Sequence, residues 1–209
     1  MSTSLLLRGL VIGFSIAAPV GPIGVLCIRR TLAEGRASGL VSGLGAATAD
    51  AIYGCIAGFG LTFVSTFLVD QQTWLRLIGG AFLCYLGIKT LLAKPAEHAA
   101  PDKATSLAGA YVSTFLLTLT NPVTILSFAA IFAGLGLANT GLANPGGGYA
   151  SAGVLVLGVF IGSALWWLLL SACTGLLRNK IPSHGLRWVN RISGLIIIGF
   201  GLFALASTR

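Results

Sequence analysis

Charge is what this sequence has least of. Thirteen Lys and Arg with five Asp and Glu make 9% of its 209 residues, where a soluble domain carries about 25%. So little charge cannot cover a soluble fold of this length. Histidine is scarce too: His98 and His184 fall in loops and read as solvated residues. The four cysteines, Cys27, Cys55, Cys84 and Cys173, lie inside apolar blocks with no CxxC pair. Metal-site spacing is therefore missing, and each reads as a small buried hydrophobe. There is no nucleophile and base pair, and no Gly-rich phosphate loop after a strand, which speaks against an enzyme and against ATP hydrolysis within the chain. No cofactor and no metal site are expected.

What is there is apolar. Hydrophobic residues make up 56% of the chain and come in continuous blocks. Several exceed the roughly 18 to 20 residues that cross a bilayer as a helix. A membrane β-barrel would alternate in segments of about ten residues, so helices are expected. The blocks run approximately over 5–28, 39–69, 74–93, 107–137, 149–177 and 188–206. Arg29 and Arg30 follow the first block, which is too long for a signal peptide and reads as a retained first helix.

The net charge of +8 does not point to nucleic acid, because the basic residues flank the apolar blocks. Ten lie in the loops after the first, third and fifth spans: Arg29, Arg30, Arg36, Lys89, Lys94, Lys103, Arg178, Lys180, Arg187 and Arg191. Three lie on the other side, Arg8, Arg76 and Arg209. The positive-inside rule then places loops 29–38, 94–106 and 178–187 in the cytoplasm and both termini outside.

The two halves resemble each other. Pro22-Ile23-Gly24-Val25-Leu26 matches Pro122-Val123-Thr124-Ile125-Leu126. Leu44-Gly45 and the run to Asp50 match Leu157-Gly158 and the run to Ser163. Trp74, Ile78, Gly80 and Gly87 match Trp188, Ile192, Gly194 and Gly201. The expected fold is an all-α membrane protein of six transmembrane helices, one domain over 1–209 made of two three-helix repeats. The first covers about 1–93, a polar linker 94–106, and the second 107–209. Three is odd, so the second copy inserts upside down. Inverted repeats with proline-broken helices are a transporter signature, with the site near the midplane.

Asp50 is the only acidic residue well inside a span. A mid-membrane aspartate costs about 2.5 to 3.5 kcal/mol on insertion scales and reads as functional by default. It could bind a substrate ammonium, carry a coupling proton, or do both in turn; the competing reading is helix packing through Ser or Thr. Pro19, Gly21 and Pro22 in one half, and Asn121 with Pro122 in the other, are expected to break their helices. The turns that follow, including Gly24, would begin half-helices whose N-termini attract anions such as a carboxylate, and Asn121 can hydrogen-bond a substrate. Ser163 stands where the repeat puts the counterpart of Asp50. Trp166 and Trp167 lie nearby; packing is the ordinary role for aromatics so deep, but one facing the site, with Trp166 the candidate, could stack on a cation. Small residues recur along the second span, at Gly39, Gly43, Ala47 and Gly54, letting helices approach closely. Such faces permit a homodimer without requiring one.

Three stretches carry a family resemblance. Ala18-Pro19-Val20-Gly21-Pro22, then Arg29-Arg30, Gly35-Arg36-Ala37-Ser38-Gly39-Leu40 and Gly45 to Asp50 resemble the N-terminal signature of the LysE/RhtB translocators. Trp74 to Gly87, with its run from Ile78, resembles that family's third helix, and Leu119-Thr120-Asn121-Pro122 its fourth-helix motif. The resemblance implies a multi-pass exporter of amino acids or their derivatives in the bacterial inner (plasma) membrane, in contact with lipid and driven by a proton or other cation gradient. It also implies that Pro19 to Pro22, Asp50, and Asn121 with Pro122 line the site. Ser163 departs from a symmetric pattern and leaves one carboxylate, which disfavours a divalent metal as cargo. A metal-ion exporter and a thiol-disulfide carrier on a related scaffold remain the alternatives.

Overall fold

The computed structural model describes residues 2–19, 21–59, 71–92, 106–121, 123–128, 148–178 and 183–206. Every regular element among the described residues is an α-helix. In chain order these are α1 (Ser2–Ala17), α2 (Pro22–Glu34), α3 (Arg36–Gly58), α4 (Gln72–Leu91), α5 (Leu107–Leu119), α6 (Gly148–Arg178) and α7 (Ser183–Ala206), with residues 123–128 also helical. Helices α3, α4, α6 and α7 are each long and apolar enough to cross a bilayer. Helices α1 and α2 meet the same length and apolarity only as a pair, bent by 81° at the break between them, and counted as one they make a fifth candidate span. Of the expected fourth span, α5 and residues 123–128 are described; the remainder to 137 lies outside the described residues, as does linker 94–105.

The expected loop 29–38 is not a loop. Helix α2 runs on to Glu34 and α3 starts at Arg36. The turn between them is Gly35 alone, at φ 107, a backbone conformation that glycine takes without a Cβ penalty. Its N–H caps α2 by donating to the carbonyls of Arg30 and Thr31. Loop 178–187 shrinks likewise. Arg178 is the last residue of α6, and Ser183 to Arg187 already belong to α7. In both places charged residues mark the edge of an apolar block, while good helix formers carry the helix past that edge.

The helices pack as close pairs. Helix α1 lies on α6, α4 on α7, and α3 on both α5 and α6. Glycine makes the closest approaches possible. A Cβ at Gly9 or Gly13 would collide with the α6 carbonyls of Leu155 or Val159; one at Gly158 or Gly162 would meet those of Leu6 or Leu10 on α1. On α4 and α7, Gly80 faces Gly201 and Gly87 faces Gly194. An added Cβ at any of the four would sit 2.9–3.0 Å from the opposite glycine's carbonyl oxygen. Without a hydrophobic drive between helices in lipid, such contacts supply the packing. Large apolar side chains such as Trp74, Ile78, Tyr85, Trp188 and Phe203 remain on the outer surface, as a lipid-facing shell requires.

Candidate functional site

The first break follows from its prolines. A residue before proline disfavours helical geometry, and α1 ends at Ala17, two residues before Pro19. Helix α2 restarts with Pro22 at its first position and Gly21 as N-cap. Proline there loses nothing, since the first amides of a helix have no partner within it. Gly21 supplies no side-chain cap. The amides of Ile23 and Gly24 therefore stand at the open end of α2, and both residues line a cavity.

The second break closes on itself. Helix α5 ends at Leu119, and helix resumes at 123. A proline at 122 has no N–H for the carbonyl of Thr118, which accepts instead from the amide of Asn121 at 3.2 Å. The amide of Val123 donates to Asn121 Oδ1 at 3.1 Å, an N-cap. That takes Val123 away from Leu119, whose carbonyl accepts the Tyr53 hydroxyl instead. Each displaced backbone group thus finds a partner, as buried backbone must. Pro122 itself lies outside the described residues.

Between the breaks lies a cavity of about 410 Å³. Pro19, Gly21, Pro22 and Gly24 line it from the first break, and Thr120, Asn121, Thr124 and Ser127 from the second. Asp50 enters from α3, Trp167 from α6, Arg76 from α4 and Phe200 from α7. Asp50 is 3% exposed. Its Oδ2 accepts from Ser163 Oγ at 2.7 Å, and Ser163 Oγ accepts from Trp167 Nε1 at 3.2 Å. Ser163, fully buried, stands behind the cavity and orients both groups that face it. Gly43 leaves the room Trp167 needs, for a Cβ there would collide with the indole.

Pro19, Gly21, Pro22, Gly24, Asp50 and Asn121 thus come together around one space, with Ser163 one bond away. Trp166 does not join them. It packs edge-on against Phe14, centroids 5.3 Å apart, and its neighbour Trp167 faces the cavity. Periodicity could not separate adjacent tryptophans on a helix that is apolar on every side. Two arginines also escaped their sequence reading. Arg76 lines the cavity instead of marking a lipid edge. Arg30, 4% exposed, donates from Nη1 to Ser42 Oγ at 2.8 Å, the Ala110 carbonyl at 2.9 Å and Thr114 Oγ1 at 2.9 Å, and from Nη2 to Ser113 Oγ at 2.8 Å. The run of small hydroxyls on α3 and α5 was the available signal. Arg29 pairs with Glu34 at 3.0 Å and donates to Asn190 of α7 at 3.1 Å.

Among known families, residues 14–208 match the LysE type translocators. A Bacillus subtilis (strain 168) protein named "Putative amino acid efflux protein YcgF" is 30% identical over 206 residues, covering 96% of this chain and 94% of that protein. An uncharacterized membrane protein of Synechocystis sp. is 28% identical over 198 residues, 92% of each chain. Another from Bacillus subtilis (strain 168) is 26% identical over 190 residues, 85% of this chain and 87% of that one. No solved structure matches significantly.

Proposed function

This chain belongs to the LysE type translocator family, and from that premise we propose that it is a secondary-active exporter of amino acids or amino-acid derivatives across the bacterial inner membrane. It works by alternating access and is coupled to a proton or other cation gradient. The observation that carries the reading is the cavity between two broken helices with one buried carboxylate, Asp50, on its wall. The name of the Bacillus subtilis relative supports amino acids as cargo.

The moving parts are two inverted three-helix repeats. Two features support them. Helices α1 and α6 pair as first and fifth spans, and α5 and α3 as fourth and second; exchanging the halves converts one pair into the other. Asp50 and Ser163, separated by 113 residues, bond directly to one another, as equivalent positions beside a two-fold axis would. Rocking of one repeat against the other then opens the cavity to each side in turn. The open amides at the start of α2 attract a carboxylate. Asp50 holds either the substrate ammonium or a proton, so a proton entering from the far side displaces the substrate. With the buried Arg30 and the cavity-lining Arg76 set aside, nine basic residues against two orient the odd-numbered loops to the cytoplasm and both termini outward.

Proteoliposomes loaded with a panel of labelled amino acids, with and without a pH gradient, test this. Gradient-dependent, selective efflux is expected, and Asp50→Asn is expected to abolish it in protein that still inserts and purifies. No efflux of any amino acid from folded protein, or undiminished efflux by Asp50→Asn, overturns the reading.

A further inference from the structure

The end of the bundle where the odd-numbered loops lie carries arginines that no acid answers. Among the described residues there, Glu34 is the one acid, and both its oxygens are taken. Its Oε1 accepts from Arg29 at 3.0 Å and its Oε2 from Ser38 Oγ at 2.7 Å. Linker 94–105 leaves the balance unchanged, since Lys94 and Lys103 match Glu97 and Asp102 in number. Arg36 and Arg178 are left over. Among the described residues neither forms an ion pair. Arg178 makes one side-chain hydrogen bond, from Nε to the Leu32 carbonyl at 3.3 Å, and Arg36 makes none. The Nη edge of Arg178 and the whole fork of Arg36 are therefore uncommitted.

Two glycines bring these side chains to one place. A Cβ on Gly175 would lie 2.2 Å from Arg36 Nε and 2.3 Å from its Cγ. Arg36 thus crosses bare backbone of α6, one turn before Arg178. A Cβ on Gly35 would lie 3.4 Å from Arg178 Nη1. Arg178 thus reaches back to the residue that precedes Arg36. Helix α3 also begins here, at Arg36. Its first amides have no acceptor within the helix, and the positive end of its dipole adds to the two guanidiniums. Like charges gathered in this way favour an anion that meets both.

We infer that Arg36 and Arg178 hold the phosphate of an anionic phospholipid. Neither residue lines the cavity, so this site is separate from the transport path and independent of its cargo. A phosphodiester suits the donors, because its oxygens accept in pairs from a planar guanidinium. Basic pockets between membrane helices bind such headgroups. The surroundings favour a lipid over a free phosphate. Leu176 and Leu177, just before Arg178, and Ala37, just after Arg36, are all exposed. The guanidiniums stand at the rim of an apolar surface, where the acyl chains of the same molecule lie against α6. A zwitterionic lipid offers the same phosphate with an ammonium of its own, which two unpaired guanidiniums repel.

The test is the protection of the full chain against unfolding in detergent micelles, titrated with phosphatidylglycerol or with phosphatidylcholine of the same acyl chains. Wild type is expected to be half-protected by at least about tenfold less phosphatidylglycerol, the least that two arginines at a lipid surface should supply. Arg36→Gln removes no hydrogen bond of the protein and is expected to cut that preference at least about threefold. Arg36→Gln with Arg178→Gln is expected to bring the two lipids within about twofold. Arg187→Gln with Arg191→Gln removes the same charge from α7 and is expected to keep the preference within about twofold of wild type. Equal protection of wild type by the two lipids overturns the site. So does an unchanged preference in folded Arg36→Gln, which carries the test alone should the double variant not fold. A loss in the α7 variant as large as in the α3–α6 variant overturns it as well, since any basic residue would then serve. Glycerol phosphate or inorganic phosphate protecting at the same concentration as phosphatidylglycerol overturns the lipid as occupant.

Discussion

The two helix breaks face one cavity from opposite sides and are built differently. At the first, the chain turns through 81° around a glycine that caps nothing with a side chain. Its helix α2 is held from the far end, where Arg29 reaches Glu34 and Asn190 and Arg30 reaches α3 and α5. At the second, the break is stitched where it occurs, by Asn121 on Val123 and Tyr53 on Leu119. One break is open at the site and anchored away from it; the other is closed at the site. The first therefore leaves amides open to the cavity, and the second presents side chains to it, Thr120, Thr124 and Ser127 among them.

The same asymmetry holds for Asp50 and Ser163, and exchanging them tests it most severely. Asp50→Ser is expected to reduce gradient-driven export at least about 100-fold, the equivalent of some 2.7 kcal/mol. In Asp50→Ser with Ser163→Asp, the carboxylate crosses one hydrogen bond but stays at the same depth and beside Trp167. Export is expected to recover to within about tenfold of wild type, since the acid keeps its membrane position. A double variant as inactive as the single one would mean that the carboxylate must stand on the wall of the first half, and that the halves are not interchangeable at this point.

Arg30 tests the anchored end. Its four hydrogen bonds are charge-assisted, and the hydroxyls that receive them each donate to a backbone carbonyl of their own, Ser42 to Ser38, Ser113 to Gly109 and Thr114 to Ala110. Arg30→Ala thus strands no hydroxyl proton, and a loss of about 2 kcal/mol in detergent unfolding is expected. Arg30→Lys is expected to do no better, because a buried ammonium cannot reproduce a planar fork serving two helices. An unchanged unfolding midpoint in Arg30→Ala would show that α2 is held by its packing alone.

Much of this arrangement was legible in residue types. The apolar blocks stand out because they are costly in water, the prolines and the lone acid at Asp50 because each is costly in a helix within lipid. The continuation of α2 past Arg29 and Arg30 was not legible. A run of apolar residues ending in two arginines looks the same whether they meet the headgroups or a cluster of hydroxyls brought in from 80 or more residues away. Trp167 was chosen over Trp166 by Gly43, a contact between helices that one helix cannot announce. Arg76 had the same ambiguity: four residues into α4, it reads as an edge marker until Gly79 and Gly80 beside it are seen to line a cavity.

Two smaller effects probe the closed break. Tyr53→Phe removes the donor to the Leu119 carbonyl and leaves it unpaired, with an expected loss of about 1–2 kcal/mol. Asn121→Ala removes the cap on residues 123–128 and is expected to cost about 1 kcal/mol. The two stitches serve neighbouring backbone groups of a single break. The double variant is therefore expected to lose less than the sum of the two, once either stitch has let the break relax. Strict additivity in unfolding measurements would mean that they act independently.

Gly21→Ala is the smallest expected change and the sharpest contrast with Asn121→Ala. Gly21 also caps a helix beside the cavity, yet its backbone sits at φ −96 and ψ −163, which alanine adopts without strain, and nothing lies within 4 Å of where the Cβ would be. Alanine is a poorer N-cap than glycine by a fraction of a kcal/mol, while the stiffer unfolded chain returns about 0.4–1 kcal/mol. The two nearly cancel, so the net change is expected to stay within about 0.5 kcal/mol. A methyl on the wall of the cavity still leaves the amides of Ile23 and Gly24 uncovered, so gradient-driven efflux should change less than about twofold. A loss as large as that of Asn121→Ala would mean that the first break is closed by contacts of its own, and the difference between the two breaks would disappear.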